Sequence, residues 1–364
     1  MPVQKRTLAT LPELQFLSTG SLCLDLLLGK DQGKGLPLGA ITGMWGPEGT
    51  GKSTICQIIA GKTQQLGGEV IFIDSETSIH ADWAARCGMR PDTEVWIPDT
   101  MESVWASIYK RLDQKIAAFD GEGYGQDTLQ LIVMDSFTAI KPRAVVDADP
   151  EKSSGGIGSQ ARFASDFLPG LRTRAKAAQV AIFFTAQMRM VIGPKSYATM
   201  AGGKALSYYA DIIFKMAPRS AKGGSKEIVS RSANKEVAAK GLEATFKASR
   251  CKNKVTGNLI EPRQIVLYLT TQYEDAPIDS IADTIFAGDM LNVITDYTDK
   301  PRTTGGYKFK DEKLGAKFWD VHKRLAAEPS LYWDLRQEVM HVGEWPYTEA
   351  SPEAGPGELL VQEE

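Results

Sequence analysis

The sequence predicts an α/β fold, with a mostly parallel central sheet flanked by helices and a small α+β unit at the carboxyl end. Largely apolar runs such as Ile41 to Trp45, Leu129 to Met134 and Val180 to Phe184 have the character of strands covered on both faces. Stretches with apolar residues at helical spacing alternate with them, as Val104, Ile108, Leu112 and Ile116 do. A glycine-rich octet between the first of these strands and the helix after it places chemistry at the carboxyl edge of the sheet.

The elements follow in order. A short amino-terminal segment, residues 1–17, precedes the strand Ile41 to Trp45, which runs into Gly46-Pro47-Glu48-Gly49-Thr50-Gly51-Lys52-Ser53. A helix from Thr54 to Leu66 is stopped by Gly67-Gly68, and Val70 to Asp74 forms the next strand. Two Gly/Ser-rich stretches, Ser153 to Ser159 and Gly193 to Gly203, read as mobile loops beyond strands. Arg219 to Lys254 carries ten Lys/Arg against three Glu, and Gln264 to Leu269 is a last apolar strand. A composition break at Gln272 to Pro277 reads as a linker. It divides a core, 18–272, from a second domain, 278–341. Val342 to Glu364, with six Glu and no Lys or Arg, reads as a disordered acidic tail.

Composition narrows the function classes. With 364 residues, 43% apolar and 24% charged, the chain is globular and long enough for two domains. A net charge of -3 excludes a global basic field, so any nucleic-acid site must be a local patch. Cys23, Cys56, Cys87 and Cys251 form no C-x-x-C pair, which argues against structural zinc and a disulfide scaffold. The apolar stretch Leu22 to Leu28 is interrupted by Asp25, so no membrane span is expected and the expected compartment is cytoplasmic.

The octet satisfies G-x-x-x-x-G-K-[ST], with a strand before it and a helix, beginning with Thr54, after it. Such a loop wraps phosphate oxygens in backbone N–H groups, with Lys52 on the β/γ-phosphates and the Ser53 hydroxyl on Mg²⁺. Asp135 closes the strand Leu131 to Met134, where a carboxylate holds the metal through a water; a turn or helix-capping acid is the plain alternative. Glu76, just beyond the strand ending at Asp74, is placed to activate the attacking water, unless it is a solvated loop acid.

These residues, together with Ser18-Thr19-Gly20-Ser21, Leu24-Asp25, Gly35-Leu36-Pro37, Gln187-Met188-Arg189-Met190, Gly202-Gly203, Lys252-Asn253-Lys254 and Gly305-Gly306-Tyr307, stand in an order that resembles the bacterial RecA recombinases and their phage-encoded relatives. The resemblance covers nearly the whole chain and implies a RecA-type P-loop ATPase core using ATP and Mg²⁺. It implies that Glu76 is the catalytic glutamate, that Trp83 stacks on adenine, and that Gln187 senses the γ-phosphate. From spacing alone, Trp83 is equally a core aromatic and Gln187 a hydrogen-bonding strand cap.

Two DNA-binding loops are implied at about 147–162 and 188–204, with contacts from Arg162, Ser165, Met188, Arg189, Tyr197, Gly202 and Gly203. By composition alone both are ordinary surface. Lys252 and Lys254 are implied to reach the nucleotide of the adjacent protomer, although exposed lysines on an edge strand would read the same. Between Lys300 and Arg324, eight Lys/Arg stand against three acids, a patch that resembles the family's duplex-gathering domain or else a solvated helix face. The implied partners are single-stranded DNA, homologous duplex DNA and further copies of the chain in a helical filament.

The sequence departs from the family in its short amino terminus. It departs also at Pro169, Ala186 and His80, and at Ser207 and Ile213, which replace basic residues of the protomer interface. The reading is an ATP-dependent recombinase. The alternatives are a ring helicase or accessory ATPase of the same core, and an ATP-switched DNA-binding scaffold without turnover.

Overall fold

The computed structural model describes residues 14–29, 33–118, 127–147, 159–191, 197–218, 244–255, 264–269, 277–296, 306–349 and 359–361. The chain opens with β1 (Phe16–Leu17), α1 (Leu22–Gly29) and β2 (Leu36–Pro37), the two strands pairing antiparallel. The alternating core follows as β3 (Ile41–Gly46), α2 (Lys52–Gln65), β4 (Glu69–Asp74), α3 (Ala81–Arg86), β5 (Glu94–Trp96), α4 (Met101–Ala117) and β6 (Leu129–Asp135). It continues through α5 (Arg143–Val146), α6 (Ser159–Ala178), β7 (Ala181–Val191), β8 (Tyr197–Met200), α7 (Gly203–Tyr209), β9 (Ile212–Pro218), β10 (Ala244–Asn253) and β11 (Gln264–Leu269).

Among the described residues these strands form one nine-stranded sheet in the order β11-β10-β9-β3-β7-β6-β4-β5, with β8 paired to β7 off that path. The strands from β9 to β5 are parallel, and β10 and β11 add an antiparallel edge. The parallel strands are apolar on both faces because helices cover both. Met44, Phe72, Val133 and Phe183 alternate toward α1 and α2, whereas Ile41, Ile73, Ile132 and Ile182 turn toward α4 and α6. The α4 helix starts where the Thr100 hydroxyl accepts from the Ser103 N–H, and it buries Val104, Trp105, Ile108 and Leu112 on one face.

The carboxyl-terminal region comprises α8 (Ser280–Met290), β12 (Ile294–Asp296), β13 (Tyr307–Phe309), β14 (Glu312–Gly315), α9 (Phe318–Ala327), α10 (Pro329–Val342), β15 (Tyr347–Glu349) and β16 (Leu359–Val361). The strands β12, β13 and β14 form a small antiparallel sheet, so this unit is α+β. It is docked on the core. Ile285, Leu335, Val339 and Trp345 share one apolar cluster with Leu24, Leu28 and Ile59. The Asp283 carboxylate caps α1 by accepting from the Ser21 hydroxyl at 2.8 Å and the Leu22 N–H at 2.6 Å.

Several expectations are corrected. The chain from 342 to 349 is folded rather than disordered: Trp345 is buried, its indole donates to Asp25 Oδ2 at 3.1 Å, and Tyr347–Glu349 pairs with Leu359–Val361. The strand expected at Val180 to Phe184 runs on to Val191. Its extension pairs with Tyr197–Met200, so the arms of the expected loop 188–204 form a hairpin. Of the expected loop 147–162, residues 148–158 lie outside the described set, and 159–162 belong to α6. Residues 1–13, 192–196, 219–243 and 270–276 also lie outside it.

Candidate nucleotide site and adjoining hairpin

The sheet brings the candidate catalytic residues into a row. Cα register pairs Gly46 with Gln187 across β3 and β7, Met134 with Phe184 across β6 and β7, and Asp74 with Asp135 across β4 and β6. Four parallel strands therefore end side by side, and their carboxyl ends open on the crevice where α/β sheets hold ligands.

The octet forms the turn that this chemistry requires. Gly49 and Gly51 sit at φ 72° and 74°, a region that disfavours side chains, and a Cβ at Gly46 would lie 2.4 Å from the Met216 carbonyl oxygen. Gly51 is the N-cap of α2 and supplies no side-chain cap, so the first N–H groups of a 14-residue helix face the loop. Within the loop, the Thr50 hydroxyl and the Lys52 ammonium each donate to the Pro47 carbonyl oxygen at 2.8 Å, while Glu48 is exposed. Burial lowers the Lys52 pKa, opposed by the negative charges of Asp135 and Glu76. Thr54 follows within the first turn of α2.

Asp135 is almost fully buried. Burial raises its pKa, and hydrogen bonds from the Ser53 and Thr185 hydroxyls pull it back, the latter at 2.5 Å. This hydroxyl–carboxylate pair beside a lysine suits Mg²⁺ bound to a nucleotide, which Ser53 would ligate and Asp135 would hold through a water. Glu76 is exposed. Its Oε1 accepts from the Ser136 hydroxyl at 2.6 Å and from the Gln187 side-chain amide at 3.1 Å. Trp83 lies on α3, partly buried against the core, with the Arg86 guanidinium 5.6 Å from its ring centroid.

The hairpin continues directly from Gln187. Met188 pairs with Met200 and Arg189 with Thr199, while Arg189 and Tyr197 are exposed. Gly202, at φ 96°, caps α7, and Gly203 is its first residue. Arg162 and Ser165 stand exposed on α6, but the Ser165 hydroxyl donates to the Ala161 carbonyl at 2.8 Å.

Lys252 is the last residue but one of β10, and Lys254 follows the strand. Both ammonium groups converge on the carboxyl end of α7, where Lys252 Nζ meets the Ser207, Tyr208 and Ala210 carbonyls at 2.5, 3.0 and 2.5 Å. Lys254 Nζ donates to the Tyr208 carbonyl at 3.1 Å and lies 5.2 Å from that ring's centroid. The described hydrogen bonds of this pair run to α7 and not to the phosphate loop of the same chain. Sequence reasoning assigned no role to Ser136, Thr138 or Thr185, because a hydroxyl at a strand end does not by itself announce a function.

The fold and this row of groups define a P-loop, nucleotide-binding α/β class. Residues 4–256 match the family model described as the RecA N-terminal domain. The chain belongs to the RecA recombinase family. It is 28% identical over 331 residues to the Protein RecA of Legionella pneumophila (strain Corby), covering 90% of this chain and 83% of that protein. Over 330 residues it is 26% identical to the Protein RecA of Streptococcus gordonii, covering 90% and 76% of the two chains. The Protein RecA of Streptococcus pneumoniae (strain Hungary19A-6) is 28% identical over 330 residues, with 90% and 75% covered. Among the described residues, no helix is long and apolar enough to cross a membrane.

Proposed function

We propose that the chain is a DNA-dependent ATPase that polymerises on single-stranded DNA and promotes homologous pairing and strand exchange. One observation carries the reading most directly: Gln187 bonds the Glu76 carboxylate and begins the hairpin, so a single strand links the hydrolytic site to the DNA-facing segment. The residues present fit ATP and Mg²⁺. Lys52 and the N–H groups of α2 would hold the phosphates, Ser53 and Asp135 would hold the metal, and Mg²⁺ there would supply neutralisation of the charge that develops on the phosphate under attack. Trp83 provides a ring for adenine. Glu76 takes the proton of the attacking water.

In this reading the phosphates of single-stranded DNA lie along Arg162, Arg189 and the backbone at Gly202 and Gly203, with Tyr197 against a base. Ser165 is a weaker candidate, since its hydroxyl already bonds the helix. Lys252 and Lys254 serve the nucleotide of the next protomer, and the basic residues between Lys300 and Arg324 gather duplex DNA. The site sits in the soluble part of the cell that holds DNA, the cytoplasm.

The test is ATP hydrolysis with and without single-stranded DNA, joined to electron microscopy of the same samples. Stimulated turnover with helical filaments is expected. Closed rings would favour the helicase reading, and DNA binding without turnover would favour the scaffold.

A further inference from the structure

The two donors to Glu76 differ in kind. Gln187 is exposed and stands where β7 becomes the hairpin, so its side chain follows that segment. Ser136 is 1% exposed and is fixed from several sides. Its carbonyl accepts from the Ser75 hydroxyl at 2.7 Å and from the Ala139 N–H at 3.2 Å, and the Ser75 N–H donates to the preceding carbonyl, that of Asp135, at 2.9 Å.

A serine hydroxyl has one proton to donate, and here Glu76 receives it. The Thr138 hydroxyl, 3.4 Å from Ser136 Oγ, is then the donor of that second contact, while its own oxygen accepts from the Gln187 N–H at 3.2 Å. The hydroxyls form a short chain from the backbone of β7 through Thr138 and Ser136 to the carboxylate. Both described donors meet the same carboxylate oxygen, Oε1.

We infer that Ser136 is a positioning residue for hydrolysis, its buried hydroxyl holding the Glu76 carboxylate toward the attacking water when the Gln187 amide turns to the nucleotide. This rests on Glu76 being the base. An amide that swings to a phosphate oxygen lengthens its bond to Glu76, whereas a hydroxyl anchored on the end of β6 keeps its place.

The test is a double-mutant cycle on the full chain, read as single-turnover ATP hydrolysis with single-stranded DNA. Ser136→Ala is expected to slow hydrolysis by roughly 10- to 100-fold, the scale of a lost hydrogen bond to a charged group. The KM for ATP and the affinity for a non-hydrolysable ATP analogue should stay within about twofold, since Ser136 does not hold the phosphates. Added to Glu76→Gln, the same change should cost less than about twofold, because the carboxylate it positions is already gone. Normal hydrolysis in Ser136→Ala, or a loss that multiplies in full onto Glu76→Gln, overturns the inference alone. Full turnover in Glu76→Gln overturns the reading of the base, and the inference with it. Should Ser136→Ala fail to bind the analogue, Thr138→Val carries the same test, with a smaller loss that again vanishes in the Glu76→Gln background.

Discussion

At Glu76 and Lys252 the chemistry is set by what each side chain touches. Glu76→Gln keeps both donor contacts sterically possible but removes the proton acceptor, so ATP binding should persist while DNA-stimulated turnover falls by roughly 10²- to 10⁴-fold. Turnover within threefold of the parent would remove Glu76 from the role. Lys252 behaves differently because its charge is conditional. Burial, followed by the neighbouring charge of Lys254, brings its pKa down to about 8, with Asp211 acting in the opposite sense and Arg172 reinforcing the drop. The ammonium is charged below about pH 8 and loses its proton above it. Assembly that needs this charge at a neighbouring phosphate should show a lag that lengthens as pH rises through about 8. Lys252→Arg, which stays charged, should remove that dependence. An identical lag profile in the arginine variant would sink the argument.

At the scale of elements, the hairpin, α7 and the lysine pair form one continuous device. The helix exposes its last carbonyls, the negative end of its dipole, and Lys252 with Lys254 neutralise it. The strained turn before this helix is at Gly202 rather than Gly203. A side chain at Gly202 would take φ 96° and place its Cβ 3.0 Å from Leu206 Cδ2. Gly202→Val should therefore weaken single-stranded DNA binding at least tenfold while leaving binding of an ATP analogue within about twofold, with Gly203→Ala milder. Equal losses of both ligands would show that the glycine supports the fold rather than a DNA contact.

The same elements show what the sequence makes legible. The apolar runs of β3, β4, β6 and β7 and the glycine octet mark where the candidate groups gather, because strands covered on both faces are made mainly of apolar residues. The long α6 is obscured by Pro169 and Gly170 in its middle. It persists through them because Trp105 and Tyr109 of α4 stack on Phe167, at 3.5 and 4.4 Å between centroids, and the Tyr109 hydroxyl donates to the Phe167 carbonyl. Tertiary packing here outweighs local propensity. Ile213 reads as a lost interface cation, yet it is buried in β9, where a charge would be costly.

Across the whole molecule, the carboxyl-terminal unit is held to the core by two buried carboxylates, Asp283 on α1 and Asp25 on Trp345. Asp25 Oδ1 accepts from the Thr19 N–H and hydroxyl at 2.7 and 2.6 Å, and Oδ2 accepts from the Ser18 hydroxyl at 2.7 Å and the Trp345 indole. Trp345 also fills the space that a Cβ at Gly33 or Gly343 would occupy, at 2.0 and 2.1 Å. Trp345→Ala should cost about 3–5 kcal/mol, read as a lower denaturant midpoint. Burial raises the Asp25 pKa to about 6, and the Thr19, Ser18 and Trp345 hydrogen bonds draw it back only in part. A carboxyl held above its unfolded value favours the fold most below about pH 4, and that contribution is lost as pH rises through about 6. The loss amounts to about 3 kcal/mol by linkage. Asp25→Asn has no such proton to lose. Whatever its stability at pH 4, the variant should therefore gain on the parent between pH 4 and 7, as measured by urea unfolding at each pH. Parallel profiles would mean that the four donors keep Asp25 ionised throughout, and that the junction between core and carboxyl-terminal unit does not titrate in this range.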